Sequence, residues 1–188
     1  MNPTAVAYEA ALRPLSAVVQ AVPADAWGRP SPCTDWTARE VVAHIIDTQR
    51  DLLTGHGHDL GPAPDLSDTA VALRHHAEQV LTLVSRQDVV DVTYDGFFGP
   101  TTVGATLVQF YVWDMLVHRW DVARATGGDE VFTADELDRI EAGVDSFGDA
   151  LHMDGICGPA VPTPPGADRQ VQLLSRLGRD ASLAEARR

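Results

Sequence analysis

The segment from Val103 to Ala125 constrains the fold of this chain more than any other, because apolar residues recur along it at helical spacing with two ionisable residues among them. Leu107, Phe110, Tyr111, Val117 and Ala125 share one stripe with Asp114 and His118, and a helix turns such a stripe towards a core. Residues four apart stack on one helix face, roughly 5–6 Å apart at Cβ, so a carboxylate and an imidazole at that spacing can chelate one ion. A carboxylate on a buried face neutralises, pairs or binds a metal, because leaving it ionised and alone in a low-dielectric interior is costly. Asp114 therefore demands partners, and His118 and a lone His44 in an earlier helical segment can supply them. The bland alternatives are a helix-surface ion pair for Asp114 and His118, and a satisfied core histidine for His44.

The rest of the chain reads as further helices joined by punctuated loops. Thr4 to Val22 alternates at helical period, interrupted by Pro14, and stops at Pro23. After a loop to Trp36, Thr37 and Glu40 form a capping box that opens a helix running to about Leu53. A glycine- and proline-rich connection leads to a third helix, Asp68 to Arg86, with Val71, Leu73, Val80, Leu81 and Val84 as its core residues. The β-formers Val90, Val92, Thr93 and Tyr94 flank Asp95-Gly96, a common hairpin turn, so Val89 to Thr102 is expected to be a short hairpin or extended loop. The helix bearing Asp114 follows and ends at Gly127-Gly128, a C-cap. A second capping box, Thr133 to Glu136, opens a last helix to about Leu151. The four prolines and three glycines of Gly155 to Ala167 exclude regular structure there, and Val171 to Leu177 is expected to dock as a final turn. The expected fold is all-α: a four-helix bundle with a hairpin before the long helix, a C-terminal helix and an irregular tail from about residue 152. Bundles build metal and ligand sites from inward-facing side chains on facing helices.

Composition narrows the function. With 188 residues, 45% hydrophobic and 22% charged, the chain suits a single folded domain over 1–188. A formal net charge of -13 repels phosphate backbones and anionic lipid alike, which excludes nucleic acid and membrane surfaces as expected partners. No segment approaches the roughly 20 apolar residues of a membrane span. Only Cys33 and Cys157 are present and the N-terminus carries no basic leader before an apolar run, so a cytoplasmic location is expected. No glycine-rich phosphate loop appears, leaving a nucleotide cofactor unsupported.

Three stretches carry a resemblance: Pro32-Cys33-Thr34-Asp35-Trp36-Thr37, then Arg39-Glu40-Val41-Val42-Ala43-His44, and Trp113-Asp114-Met115-Leu116-Val117-His118-Arg119-Trp120-Asp121-Val122-Ala123-Arg124-Ala125. Together they resemble the actinobacterial metal-binding branch of the DinB-like superfamily, which includes the N-terminal domain of mycothiol-dependent maleylpyruvate isomerase. The tail Leu173-Leu174-Ser175-Arg176-Leu177-Gly178-Arg179-Asp180 is similar to the ending usual in that branch. The resemblance implies a four-helix bundle holding one divalent ion, zinc first and Fe2+, Ni2+ or Mn2+ as alternatives, on His44, Asp114 and His118. Asp114 stands where the isomerase has Glu, a shorter reach that pulls the ion towards the helix. The isomerase also has a C-terminal domain for substrate handling that this chain is expected to lack, which sets its particular reaction apart. A homodimer fits the family, but no helix face demands one.

Three protein ligands leave a coordination position open, the arrangement of a catalytic zinc. A low-molecular-weight thiol in that position is deprotonated and held ready to attack an electrophile. The leading expectation is thus a metal-dependent transferase or isomerase using mycothiol on a small electrophilic substrate. Two others stand beside it: an Fe(II) enzyme of oxidative or lyase chemistry on a biosynthetic intermediate, built on the same two-His, one-carboxylate set, and a non-catalytic module in which the ion stabilises the fold. Asp121, one turn beyond His118, either orients the imidazole or pairs with Arg124; Asp47 is as ambiguous beside His44. Tyr111 either donates a proton or packs. His56, His58, His75 and His76 read as loop or helix-surface residues, and Trp36, Trp113 and Trp120 as core or pocket wall. Cys33, just before a helix N-terminus, is a weak nucleophile candidate, since no His or Asn can be placed near it.

Overall fold

The computed structural model describes residues 1–33 and 35–181; Thr34 of the loop motif lies outside the described residues. Two compact units make up the chain, Met1–Glu130 and Val131–Arg188.

In the first unit, α1 (Pro3–Ala21), α2 (Ala38–Gly55) and α3 (Thr69–Val84) are followed by the single turn α4 (Gln87–Val90) and a hairpin of β1 (Thr93–Gly96) and β2 (Gly99–Thr102). A continuous helical stretch then comprises α5 (Val103–Thr106), a π-helical segment (Leu107–Val112) and α6 (Trp113–Thr126). α1 packs on α3 and α6, and α2 packs on the same two helices. The order around the bundle is therefore α1, α3, α2, α6, with α1 and α2 on a diagonal, and this topology sets α2 beside α6.

Local chemistry explains most helix ends. Asn2 accepts the Ala5 amide at 2.9 Å and Pro3 occupies the first turn, where its missing N–H costs nothing. At the start of α2, Thr37 accepts the Glu40 amide at 3.4 Å while Glu40 accepts the Thr37 amide at 2.7 Å, the reciprocal box read from the sequence. α6 ends at Gly127, whose φ of 83° is the left-handed cap geometry.

Several expectations need correction. Pro14 does not interrupt α1, which runs through it with Ala11, Leu15 and Val18 all buried; burial of that face outweighs one lost backbone hydrogen bond. In α3 the buried face is Thr69, Ala72, Leu73, His76, Ala77, Val80 and Val84, so Val71 is exposed, Leu81 is only half-buried, and His76 is in the core instead of on the surface. Helical phase, and not hydrophobicity alone, decides which side chains face inward. The hairpin exists, but its turn is Phe97-Phe98: Asp95 and Gly96 lie in β1, opposite Pro100 and Gly99. The left-handed conformation falls on Gly99, with φ 104°. Finally, α6 is not a one-sided amphipathic helix. Every residue from Met115 to Ala123 is buried, Arg119 and Asp121 included, as befits a helix in the centre of a fold.

The second unit holds α7 (Ala134–Phe147), a 3-10 extension (Gly148–His152) and α8 (Arg169–Arg176). Thr133 and Glu136 form the expected capping box. Ile140, Val144, Phe147, Leu151, Leu173, Leu174 and Leu177 are buried, and Arg169 of α8 pairs with Asp138 of α7 at 2.7 Å. The proline-rich connection is irregular, as read, and the Val161 amide anchors it to the Ser175 carbonyl at 3.0 Å. Among the described residues no helix is long and apolar enough to cross a membrane.

Candidate metal centre

The adjacency of α2 and α6 brings His44, Asp114 and His118 together, with one donor atom of each within 4.8 Å of the others. Asp114 divides its carboxylate between the two rings: Oδ2 lies 3.4 Å from His44 Nε2 and Oδ1 3.1 Å from His118 Nε2. The site is not sealed. His118 has 5% of its side chain exposed, whereas Asp114 and His44 keep 23% and 26%, so the cluster reaches solvent through Asp114 and His44.

On the other nitrogen, His118 Nδ1 lies 2.8 Å from Asp121 Oδ2, a carboxylate fully buried in α6. Asp121 therefore faces the imidazole, while Arg124 pairs with Glu130 at 2.7 Å. Asp47 is exposed, and the carboxylate at His44 is Asp114. Electrostatics follow from this arrangement. Burial disfavours charge on His118, but Asp114 and Asp121 outweigh it and hold the imidazole up at about 9. Burial likewise disfavours the Asp114 carboxylate, yet His118 and His44 hold it well below the usual carboxylate range. A carboxylate locked between two imidazoles, with a second carboxylate behind one of them, is the donor chemistry and outer support of a two-His, one-carboxylate ion site. The residues fit a divalent ion.

Around the cluster, Trp36 lies over both rings, with centroids 4.6 Å from His44 and 5.9 Å from His118, so it is pocket wall. Burial first, then Tyr94, Asp114 and Asp51, push the Tyr111 hydroxyl above its ordinary range, which keeps it protonated as a donor. Phe98 at the hairpin tip stacks on Phe110 with centroids 6.0 Å apart, and Tyr94 donates to Thr106 at 2.6 Å. His56 packs edge-on against Tyr94 and belongs to neither group of possible ligands.

Two features escaped the sequence reading. The first is the π-helical segment Leu107–Val112, immediately before the turn that carries Asp114. A π turn shifts the downstream helix by about one residue, roughly 100°, and such segments concentrate at functional sites; no residue pattern in Leu107–Val112 announces it. The second is Cys33, whose Sγ lies within 4.8 Å of a His118 nitrogen and an Asp121 oxygen. A histidine is therefore beside this thiol after all, and only the return of a distant helix puts it there.

A four-helix bundle with two imidazoles and a carboxylate converging between neighbouring helices defines a DinB-like protein with a cluster that could hold a metal ion. Within that class, the mycothiol maleylpyruvate isomerase N-terminal domain family matches residues 8–123, and the chain belongs to this family. It is also similar to an uncharacterised protein of Mycobacterium tuberculosis, present in two strains, with 26% identity over 123 residues. That match covers 65% of this chain and 66% of the relative, just under two thirds of its length. No solved structure matches.

Proposed function

We propose that this protein is a divalent-metal-dependent enzyme that activates a low-molecular-weight thiol, mycothiol, for S-transfer to, or thiol-assisted isomerisation of, a small electrophilic substrate. The observation that best supports it is the convergence of His44, Asp114 and His118 on one point of the α2–α6 wall, in a chain of a mycothiol-related family. Zinc held there would supply Lewis acidity and lower the pKa of a coordinated thiol. The protein's own contribution is positional. Asp121 accepts a hydrogen bond from His118 Nδ1–H, which fixes the ring and aims Nε2 at the ion position. Trp36 covers one side of both rings and keeps water from it. The partly exposed edge of Asp114 leaves the approach for thiol and substrate, and the protonated Tyr111 hydroxyl would be a donor to the charge left on the electrophile when the thiolate adds to it.

Elemental analysis of protein purified without chelator, beside the His118→Ala variant, tests the metal; mycothiol with a panel of electrophiles tests the chemistry. Stoichiometric zinc that is lost in the variant, with thiol transfer above the uncatalysed rate, is the expected result. Iron would redirect the reading to oxygen chemistry. Zinc with no acceleration for any electrophile would overturn the thiol reading.

A further inference from the structure

His118 presents a carboxylate to each ring nitrogen: Asp114 at Nε2, 3.1 Å away, and Asp121 at Nδ1, 2.8 Å away. Asp114 shares its side of the ring with His44. Asp121 shares His118 with Cys33, and one donor atom each of Cys33, His118 and Asp121 lies within 4.8 Å of the other two. Thiolate, imidazole and carboxylate together form a donor set that suits zinc and softer divalent ions, the thiolate favouring the soft end. Asp121 is fully buried while Cys33 is half-buried, so an ion can enter past the loop cysteine and meet a carboxylate already desolvated.

We propose that Cys33, His118 and Asp121 form a second metal position, selective for thiophilic divalent ions, that shares the His118 imidazole with the first. Closing the set requires the donors to draw in to the roughly 3.5 Å spacing found around a tetrahedral ion. The loop residue Cys33 makes that movement, since Asp121 and His118 are fixed in α6. Loading displaces the thiol proton and the ring proton to solvent and replaces the Nδ1–H to Asp121 hydrogen bond that aims His118 at the first position. A soft ion at the second position is thus expected to weaken the first by taking away the support of its buried ligand.

The test is a Cd2+ titration followed by the ultraviolet thiolate-to-metal charge-transfer band, in a Cys157→Ser background where Cys33 is the one remaining thiol. The band is expected to saturate in that background, to persist when His44→Ala is added, and to vanish when Cys33→Ser is added. Asp121→Asn is expected to weaken Cd2+ at least tenfold by the same readout. Absence of the band in the Cys157→Ser protein would overturn the proposal. Loss of the band with His44→Ala would overturn it too, because Cys33 would then be completing the first ion's sphere. The band does not depend on thiol transfer, so the second position stands or falls separately from the catalytic reading.

Discussion

His76 is a buried titratable group that the candidate metal centre does not use. Gln49 Oε1 accepts from Tyr8 Oη at 2.8 Å and from His76 Nε2 at 3.0 Å, which leaves Nδ1 as the unprotonated nitrogen, buried and without a hydrogen-bond partner. Protonation would place a charge at that nitrogen. Burial first, then Arg50 and His75, lower the His76 pKa from the ordinary 6.5 to about 4. Because the folded pKa is depressed, the unfolded chain binds the extra proton first, so His76 contributes stability above pH 6.5 that is lost as pH falls towards 4. The shift corresponds to at most about 3 kcal/mol. His118, raised to about 9, loses its contribution only above pH 6.5, and Asp114, lowered, only below the ordinary carboxylate range. Glu40, lowered by its hydrogen bonds to Thr37, adds to the loss only in the carboxylate range at the bottom of this window, so the stretch from pH 6.5 to about 5 isolates His76. Chemical denaturation across it is expected to show falling stability in the metal-free parent and a flatter profile in His76→Gln; parallel profiles would refute the assignment. At the centre itself, Asp121→Asn is expected to weaken zinc by about 10–100-fold, measured by chelator competition, while the folded content seen by circular dichroism is retained. The i, i+4 pair Asp114 and His118 was legible in the sequence because helical spacing is local. That Cys33 neighbours His118 was not, since 85 residues separate them.

At the scale of elements, caps were the most readable features because they need only residues three apart. Thr37→Ala removes the side-chain acceptor for the Glu40 amide and is expected to cost about 1 kcal/mol in a urea melt. Gly104 makes a different point. A Cβ there would meet Thr4 Oγ1 and Val90 Cβ at 2.8 Å each, so α5 approaches α1 and α4 more closely than a side chain permits. Gly104→Ala is expected to destabilise by about 1–3 kcal/mol through overpacking, with the loss read from the midpoint of denaturation at an unchanged slope. Glycine in a helix looks like a weakness in sequence; its value is visible only once the neighbouring elements are placed. The misplaced hairpin turn has a similar origin. Asp95-Gly96 is a good two-residue loop in isolation, but pairing of Thr93 with Thr102 and Tyr94 with Thr101 moves the reversal to Phe97-Phe98.

For the whole molecule, the candidate metal position joins two helices that are separated in sequence by α3 and the hairpin, so an ion held there would tie the bundle together only when it is folded. Binding to the native state alone stabilises by about 2.7 kcal/mol at a free ion concentration 100-fold above Kd. Zinc is accordingly expected to raise the denaturation midpoint of the parent in a concentration-dependent way and to leave His118→Ala, which lacks the imidazole common to both donor groups, unmoved; an equal shift in both would place the effect elsewhere. The all-α class, the helix starts at Thr37 and Thr133, the end at Gly127 and the helical stacking of Asp114 on His118 were determined by the sequence itself, because propensity, capping and side-chain periodicity act over a few residues. The packing of α2 against α6, the turn at Phe97-Phe98, the burial of His76 and the meeting of Cys33 with His118 and Asp121 were decided only by the tertiary structure. Those depend on which helix faces bury the most apolar surface against one another, a balance struck across the whole bundle that no short window of residues contains.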